Sequence, residues 1–271
     1  MEKITEQPSR HRDLQLKSVA EITALINEED KKVAEAIQIA LPQINKLIEV
    51  IVQKLNSGGR MFYLGAGSGG RLSVLDAIEL PTTFGVPKDL VQVILAGGKD
   101  RLVEALEQME DDKESGWTML KQKKVSEKDI IIGITASGST PFVVEALKKC
   151  RTNNIFCACI TGNTQSEVSK HSDISVEVIT GPEFITGSTR MKCGTAQKMI
   201  FDMISTTVMI RLGRVIDNRM VNVSLINNKI TDRAVKMLME MGKINDYEEA
   251  KEKLMMHGSV KAALDKVNNA G

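Results

Sequence analysis

Five short apolar runs limit what this chain can fold into: Met61 to Leu64, Val91 to Leu95, Ile130 to Ile134, Ile155 to Ile160 and Ile174 to Ile179. Helical patterns separate them, at 71–79, at 99–109 with 113–123, at 140–149 and briefly near 165–171. Apolar runs this short, bounded by helices, read as strands buried on both faces of a parallel sheet. The expected class is α/β, a three-layer α/β/α core around a five-stranded parallel sheet.

The flanks read as helices. From Glu29 to Leu55, apolar residues recur at Val33, Ala36, Ile37, Ala40, Ile44, Leu47, Ile48 and Ile51, close to helical spacing. Pro42 is expected to kink this helix or divide it, and Gly58-Gly59 to stop it. After the last strand a long helix is expected over about Ser188 to Leu212, closed by Gly213. Shorter helices follow: one at 231–241, one with a capping-box-like start at Asn245 and Glu248 that ends at Gly258, and one beginning at Ser259. The expected division is an N-terminal helical segment packing on the core (1–57), a central domain (58–215) and a small C-terminal helical appendage (216–271).

Charge and composition narrow the partners. Thirty-six Lys and Arg against 35 Asp and Glu leave a net charge of +1. That balance gives no electrostatic reason to expect nucleic acid or an anionic membrane as partner. No run of 18 apolar residues exists, so no spanning helix is expected, and the start of the sequence lacks an apolar signal region. A cytoplasmic location is the expectation. Cys150, Cys157, Cys159 and Cys193 form no C-x-x-C pair and read as small buried hydrophobes, with Cys157 and Cys159 on one strand face. His11, His171 and His257 are scattered without metal-ligand spacing, so no metal is expected.

Two strand ends carry the candidate chemistry. The first runs into Gly65-Ala66-Gly67-Ser68-Gly69-Gly70-Arg71, a G-x-G-x-x-G match. A dinucleotide site would also need a carboxylate ending the second strand, but Leu95-Ala96-Gly97-Gly98 offers none before Asp100. No cofactor is therefore expected. Gly65, Gly67, Ser68 and Gly69 still let a ligand approach the backbone before a helix N-terminus. The third strand runs into Thr135-Ala136-Ser137-Gly138-Ser139-Thr140-Pro141. Ser137, Gly138, Ser139 and Thr140 there suit a phosphate cradle built from hydroxyls and N–H groups; ordinary N-capping by Thr140 is the plainer reading. A third polar stretch, 181–198, leads into the long helix and contains Glu183, Ser188 and Lys192. It reads either as a ligand-facing loop, reaching a neighbouring subunit, or as a solvated helix start.

Acid–base candidates lie on the helix after the glycine turn and in an acidic run. Glu79, between Ile78 and Leu80, is expected to be partly desolvated, with Pro81 ending its helix. Glu110 sits within Glu104 to Asp112, where one carboxylate cannot be told from a solvated face.

The two strand–turn–helix units and the Thr-Gly-Ser-Thr-Arg segment resemble a sugar isomerase (SIS) domain, a phosphosugar-binding module. More narrowly, Gly65 to Leu72, Leu75-Asp76-Ala77, Glu79, Ala136-Ser137-Gly138 with Thr140-Pro141, and Thr186 to Lys198 resemble the N-acetylmuramic acid 6-phosphate etherases over about Ile26 to Val221. That resemblance implies a metal-free lyase that cleaves the D-lactyl ether by elimination and then hydration, giving N-acetylglucosamine 6-phosphate and D-lactate. It implies Glu79 as proton donor to the departing oxygen and Glu110 as the second acid/base group. It also implies a homodimer working on a small phosphosugar. The family usually has Thr-Ser where this chain has Ser68-Gly69, Cys-Pro-Pro where it has Leu80-Pro81-Thr82, and a longer C-terminal region. The alternatives are a non-catalytic phosphosugar-binding regulator related to glucokinase regulatory protein, which would not need the two glutamates, and a phosphosugar isomerase, which would leave 186–198 unexplained.

Overall fold

The structure is a computed structural model, and it describes residues 3–98, 102 and 107–269. Most of the helical pattern at 99–109, and Asp100, therefore lie outside the described residues. Chain contacts divide into two units, Met1–Ala77 with Asp89–Ser205 and Ile78–Lys88 with Thr206–Gly271.

The first unit holds the sheet. Its helix α1 (Val19–Asn56) opens on a capping box, in which Ser18 accepts from the Glu21 N–H and the Glu21 side chain answers. Pro42 does not divide it; α1 is one helix. The proline removes a single N–H on an exposed face, while Val33, Ile37, Ala40, Ile44, Leu47, Ile48 and Ile51 stay buried along the opposite stripe. Packing of that stripe outweighs the one lost hydrogen bond.

Strands β1 (Met61–Gly65), β2 (Val91–Leu95), β3 (Ile130–Ile134), β4 (Phe156–Thr161) and β5 (Ile174–Glu177) form one parallel sheet in the order β2-β1-β3-β4-β5. Its two faces pack against different elements. Phe62, Leu64, Ile131, Cys157 and Cys159 join one apolar cluster with Leu120 of α3 (Ser115–Gln122), Phe142 and Leu147 of α4 (Pro141–Thr152) and Val168 of α5 (Glu167–Lys170). Tyr63, one residue out of phase, meets Phe201 of α6 (Lys192–Arg211) at 5.1 Å between ring centroids. The alternation of strand side chains thus sends successive residues of β1 to opposite layers. All four cysteines are free and buried.

The strand order fixes where a ligand can go. From β1 the chain steps out to β2, then returns past β1 to β3. The reversal lies between β1 and β3, and open α/β sheets bind ligands at such a switch point, beyond the strand C-termini. Gly65 pairs with Ile134, so the turns after β1 and β3 leave the sheet side by side.

Helix α2 (Gly67–Phe84) follows the glycine turn and runs through Pro81 rather than ending near Leu80. The Gly85 N–H still bonds the Pro81 carbonyl, and Leu80 and Phe84 are buried, so the helix outlasts the one missing donor. Helix α6 starts at Lys192, a turn later than the polar pattern suggested, because residues 181–191 form turns.

The second unit contains a two-residue hairpin, β6 (Val215–Ile216) with β7 (Arg219–Met220), and helices α7 (Asn228–Gly242), α8 (Tyr247–His257) and α9 (Val260–Asn269). Ala234, Leu238, Ala250, Leu254 and Ala263 form its core. Asp246, not Asn245, caps α8 by accepting from the Glu249 N–H, and Gly258 ends it in the left-handed region.

Candidate active site

At the end of β3 the hydroxyls interlock. Thr135 Oγ1 and Thr140 Oγ1 are 2.8 Å apart, Thr135 Oγ1 and Ser137 Oγ 3.4 Å, and the Gly138 N–H donates to Thr135 Oγ1 at 3.2 Å. Thr140 is the N-cap residue of α4, yet its side chain makes no capping bond. The plainer reading of Thr140 as a helix cap therefore does not describe its hydroxyl, which turns to the cluster. Hydroxyls gathered at an uncapped helix start can wrap an oxyanion.

The glycine turn faces this cluster across a cavity of about 240 Å³. Gly67, Ser68 and Gly69 line one side; Thr135, Ser137 and Thr140 line the other. Glu110, on a short 3-10 helix (Glu107–Asp111), closes part of it, and a Cβ at Gly67 would lie 2.8 Å from Glu110 Oε1. Gly67 also sits at φ +56°, so both its backbone and the nearby carboxylate require a glycine. At Gly69 a Cβ would lie 2.7 Å from Oε1 of Gln197, and the Gln197 amide fills that space. Gln197 is only 5% exposed and lines the cavity without a hydrogen bond to any described residue.

Two more charged groups reach the cavity. Glu6 is delivered by the N-terminal segment, which is pinned on either side of it. Asn163 Oδ1 accepts from the Ile4 N–H at 2.6 Å and its Nδ2 donates to Thr5 Oγ1 at 3.0 Å; Ser9 Oγ donates to the Phe184 carbonyl at 2.7 Å. Arg71, in the first turns of α2, also lines the cavity.

The other sequence-derived site residues sit elsewhere. Gly65 ends β1 inside the sheet, and Gly138 forms the turn at φ +72°. Ser139 faces a wider neighbouring cleft of about 980 Å³, where Lys3 Nζ donates to its Oγ at 2.6 Å; Ser137 lines both spaces. Glu183 is fully buried and caps α6, accepting from the N–H groups of Lys192 and Cys193 at 2.9 Å each. Ser188 donates its N–H to the Ile185 carbonyl in the turn before α6. Lys192 is buried, with Nζ 2.6 Å from Glu29 Oε2 and 2.9 Å from the Thr180 carbonyl. Glu79 is exposed on α2. Ile78 beside it is 60% exposed, so the expected desolvation of Glu79 by its sequence neighbours is absent from the single chain.

Two buried carboxyls behave oppositely. Burial pushes Asp76 up to about 6, against hydrogen bonds from Ser205 and Tyr63 that pull it down. For Glu29 burial also works upward, but hydrogen bonds from Lys192, Lys32 and His11 outweigh it and hold the group at about 2. Among the described residues no cluster of three His, Cys, Asp or Glu is placed to hold a metal.

Thr135, Arg71, Gln197 and Glu6 were not singled out by sequence reasoning. Thr135 and Arg71 lie inside the two quoted turns and carried a local signal. Gln197 lies inside the polar stretch 181–198, while nothing local marks Glu6.

Several known proteins are similar to this chain. Residues 43–151 match the glucokinase regulatory protein N-terminal SIS domain, and residues 101–206 match the SIS domain. The N-acetylmuramic acid 6-phosphate etherase of Bacteroides thetaiotaomicron is 51% identical over 263 residues, covering 97% of this chain and 95% of its own. That of Porphyromonas gingivalis is 51% identical over 264 residues, covering 97% and 96%. A phosphoheptose isomerase from Francisella tularensis superposes with a TM-score of 0.54 at 17% identity, covering 74% of this chain and 100% of its own. At that identity the last likeness establishes the fold alone.

Proposed function

This chain belongs to the N-acetylmuramic acid 6-phosphate etherases and is a carbon–oxygen lyase, and from that premise we propose how its residues divide the work. The phosphate binds the hydroxyl turn at 135–140, with Ser68 and the backbone of Gly65 to Gly69 on the facing turn. Anchoring there fixes C2 and C3 of the sugar. Once the pyranose has opened to the aldehyde, Glu110 takes the C2 proton. The electron pair forms a C2–C3 double bond as the C3–O bond breaks, and Glu79 protonates the departing lactate oxygen. Water then adds at C3, a proton returns to C2, and the products are N-acetylglucosamine 6-phosphate and D-lactate. Glu183, Ser188 and Lys192 act through the start of α6, which carries Gln197.

The observation that carries this reading is the Glu110 carboxylate laid over Gly67, opposite the hydroxyl cluster. A phosphosugar-binding regulator has no use for a carboxylate there. A general acid, however, works best away from bulk water, and Glu79 is exposed with Leu75 and Ile78 exposed on the same helix. A second copy of the chain covering that face of α2 would desolvate the acid, so we read the working form as a homodimer. Buried free cysteines suit a cytoplasmic enzyme of cell-wall sugar recycling. Among the described residues no helix is long and apolar enough to cross a membrane. In this reading 58–215 is the phosphosugar-binding domain, 1–57 its N-terminal segment and 216–271 an appendage.

D-lactate release from N-acetylmuramic acid 6-phosphate is the test. Wild type should release it, and Glu79→Gln and Glu110→Gln should each lose on the order of 10²–10⁴ in kcat while still binding the product sugar phosphate. Wild-type turnover in either variant removes that glutamate from the mechanism.

A further inference from the structure

Arg71 has no structural task in this fold. It makes no ion pair and no side-chain hydrogen bond with any described residue. It stands near the N-terminal end of α2, where the helix dipole disfavours a cation. Yet it lines the cavity, and among the described lining residues it is the sole cation, in a lining that also holds the carboxylates Glu6 and Glu110. An uncommitted guanidinium in a polar cavity is a site for an anion, and its planar fork fits a carboxylate in two parallel hydrogen bonds.

The substrate supplies two anions, the phosphate on C6 and the carboxylate of the lactyl ether on C3. The proposed function seats the phosphate on hydroxyls and backbone N–H groups, leaving the lactyl carboxylate to enter a cavity that already holds two glutamates. We propose that Arg71 binds the lactyl carboxylate and so makes the cavity specific for a lactyl ether over a plain sugar phosphate. This rests on the etherase reading and on the phosphate seat at 135–140. Held at its carboxylate and at C6, the substrate can turn its C3–O bond in few ways, and the bond to be broken meets the acid in one geometry.

The experiment compares ligands with and without the lactyl group on the full-length protein. Arg71→Gln should raise KM for N-acetylmuramic acid 6-phosphate at least tenfold and abolish inhibition by D-lactate. Its affinity for N-acetylglucosamine 6-phosphate, which keeps the phosphate and lacks the lactyl group, should stay within twofold of wild type. Arg71→Lys, which keeps charge and bulk but not the fork, should fall between the two and carries the comparison if Arg71→Gln loses its thermal transition. Equal loss of affinity for both sugar phosphates would overturn the proposal and assign Arg71 to phosphate. So would an unchanged KM with D-lactate inhibition intact. Failure of the phosphate seat reads out separately: Thr140→Val would then leave N-acetylglucosamine 6-phosphate binding untouched whatever Arg71 does.

Discussion

The first unit holds two clusters of charge built on opposite principles. Around Glu29 the polar groups are consumed by one another: the buried Lys192 and the more open Lys32 and His11 all point at one carboxylate. Around the cavity, Arg71 and Gln197 have no partner among the described residues. The difference separates scaffold from site. A polar group whose bonds are complete holds elements together, here the N-terminal segment, α1 and α6. A polar group left incomplete in a concave space is set for something that arrives from outside. Lys192 carries the point: in the sequence it stands among ligand-facing residues, and in the structure its ammonium is spent on Glu29 and the Thr180 carbonyl.

Breaking the satisfied cluster should have the largest energetic effect. Lys192→Met leaves Glu29 buried with less compensation, and a loss of about 3 kcal/mol is expected, read by denaturant unfolding. A loss below about 0.5 kcal/mol would mean that the cluster is not scaffold.

The next effect comes from contrasting Asp76 with Glu29. Burial raises Asp76 to about 6 in the fold, above the ordinary aspartate value of about 3.9. Its raised pKa gives stability that is complete below about pH 4 and lost as the pH rises through 6. Asp76→Asn should therefore gain on the order of 2–3 kcal/mol at pH 7, with no gain near pH 4. Glu29, held at about 2, has the opposite sign: its stability is complete above about 4.5 and lost as the pH falls through 2. Thermal melts of wild type and Asp76→Asn across pH 3–8 should diverge upward; parallel curves would show that Asp76 is not strained by burial.

The smallest effect belongs to the unsatisfied side. Thr140→Val removes one proposed phosphate contact, worth about 1.5 kcal/mol or tenfold in KM, with kcat nearly unchanged because such binding is uniform. An unchanged KM would take Thr140 out of the cradle.

What could be read in the sequence follows from the range of the interactions. The five strands were legible because each is a near-continuous apolar run, and strands β2 and β3 have the predicted bounds. The two turns were legible because glycines and hydroxyls follow strands directly. The prolines misled, since Pro42 and Pro81 each remove one bond from helices that burial holds together. Glu6 was illegible because its place depends on Asn163, 158 residues from Thr5. Glu183 and Lys192 were legible as polar residues but not as buried ones, since burial there is set by α1 and by the start of α6 packing around them.

The most direct measurement is a crystal structure of Glu79→Gln with N-acetylmuramic acid 6-phosphate bound. The phosphate should lie against Thr135, Ser137 and Thr140, with C2 facing Glu110. Phosphate density in the wider cleft by Lys3, Asn163 and Lys170, with Glu110 turned from the sugar, would contradict the account.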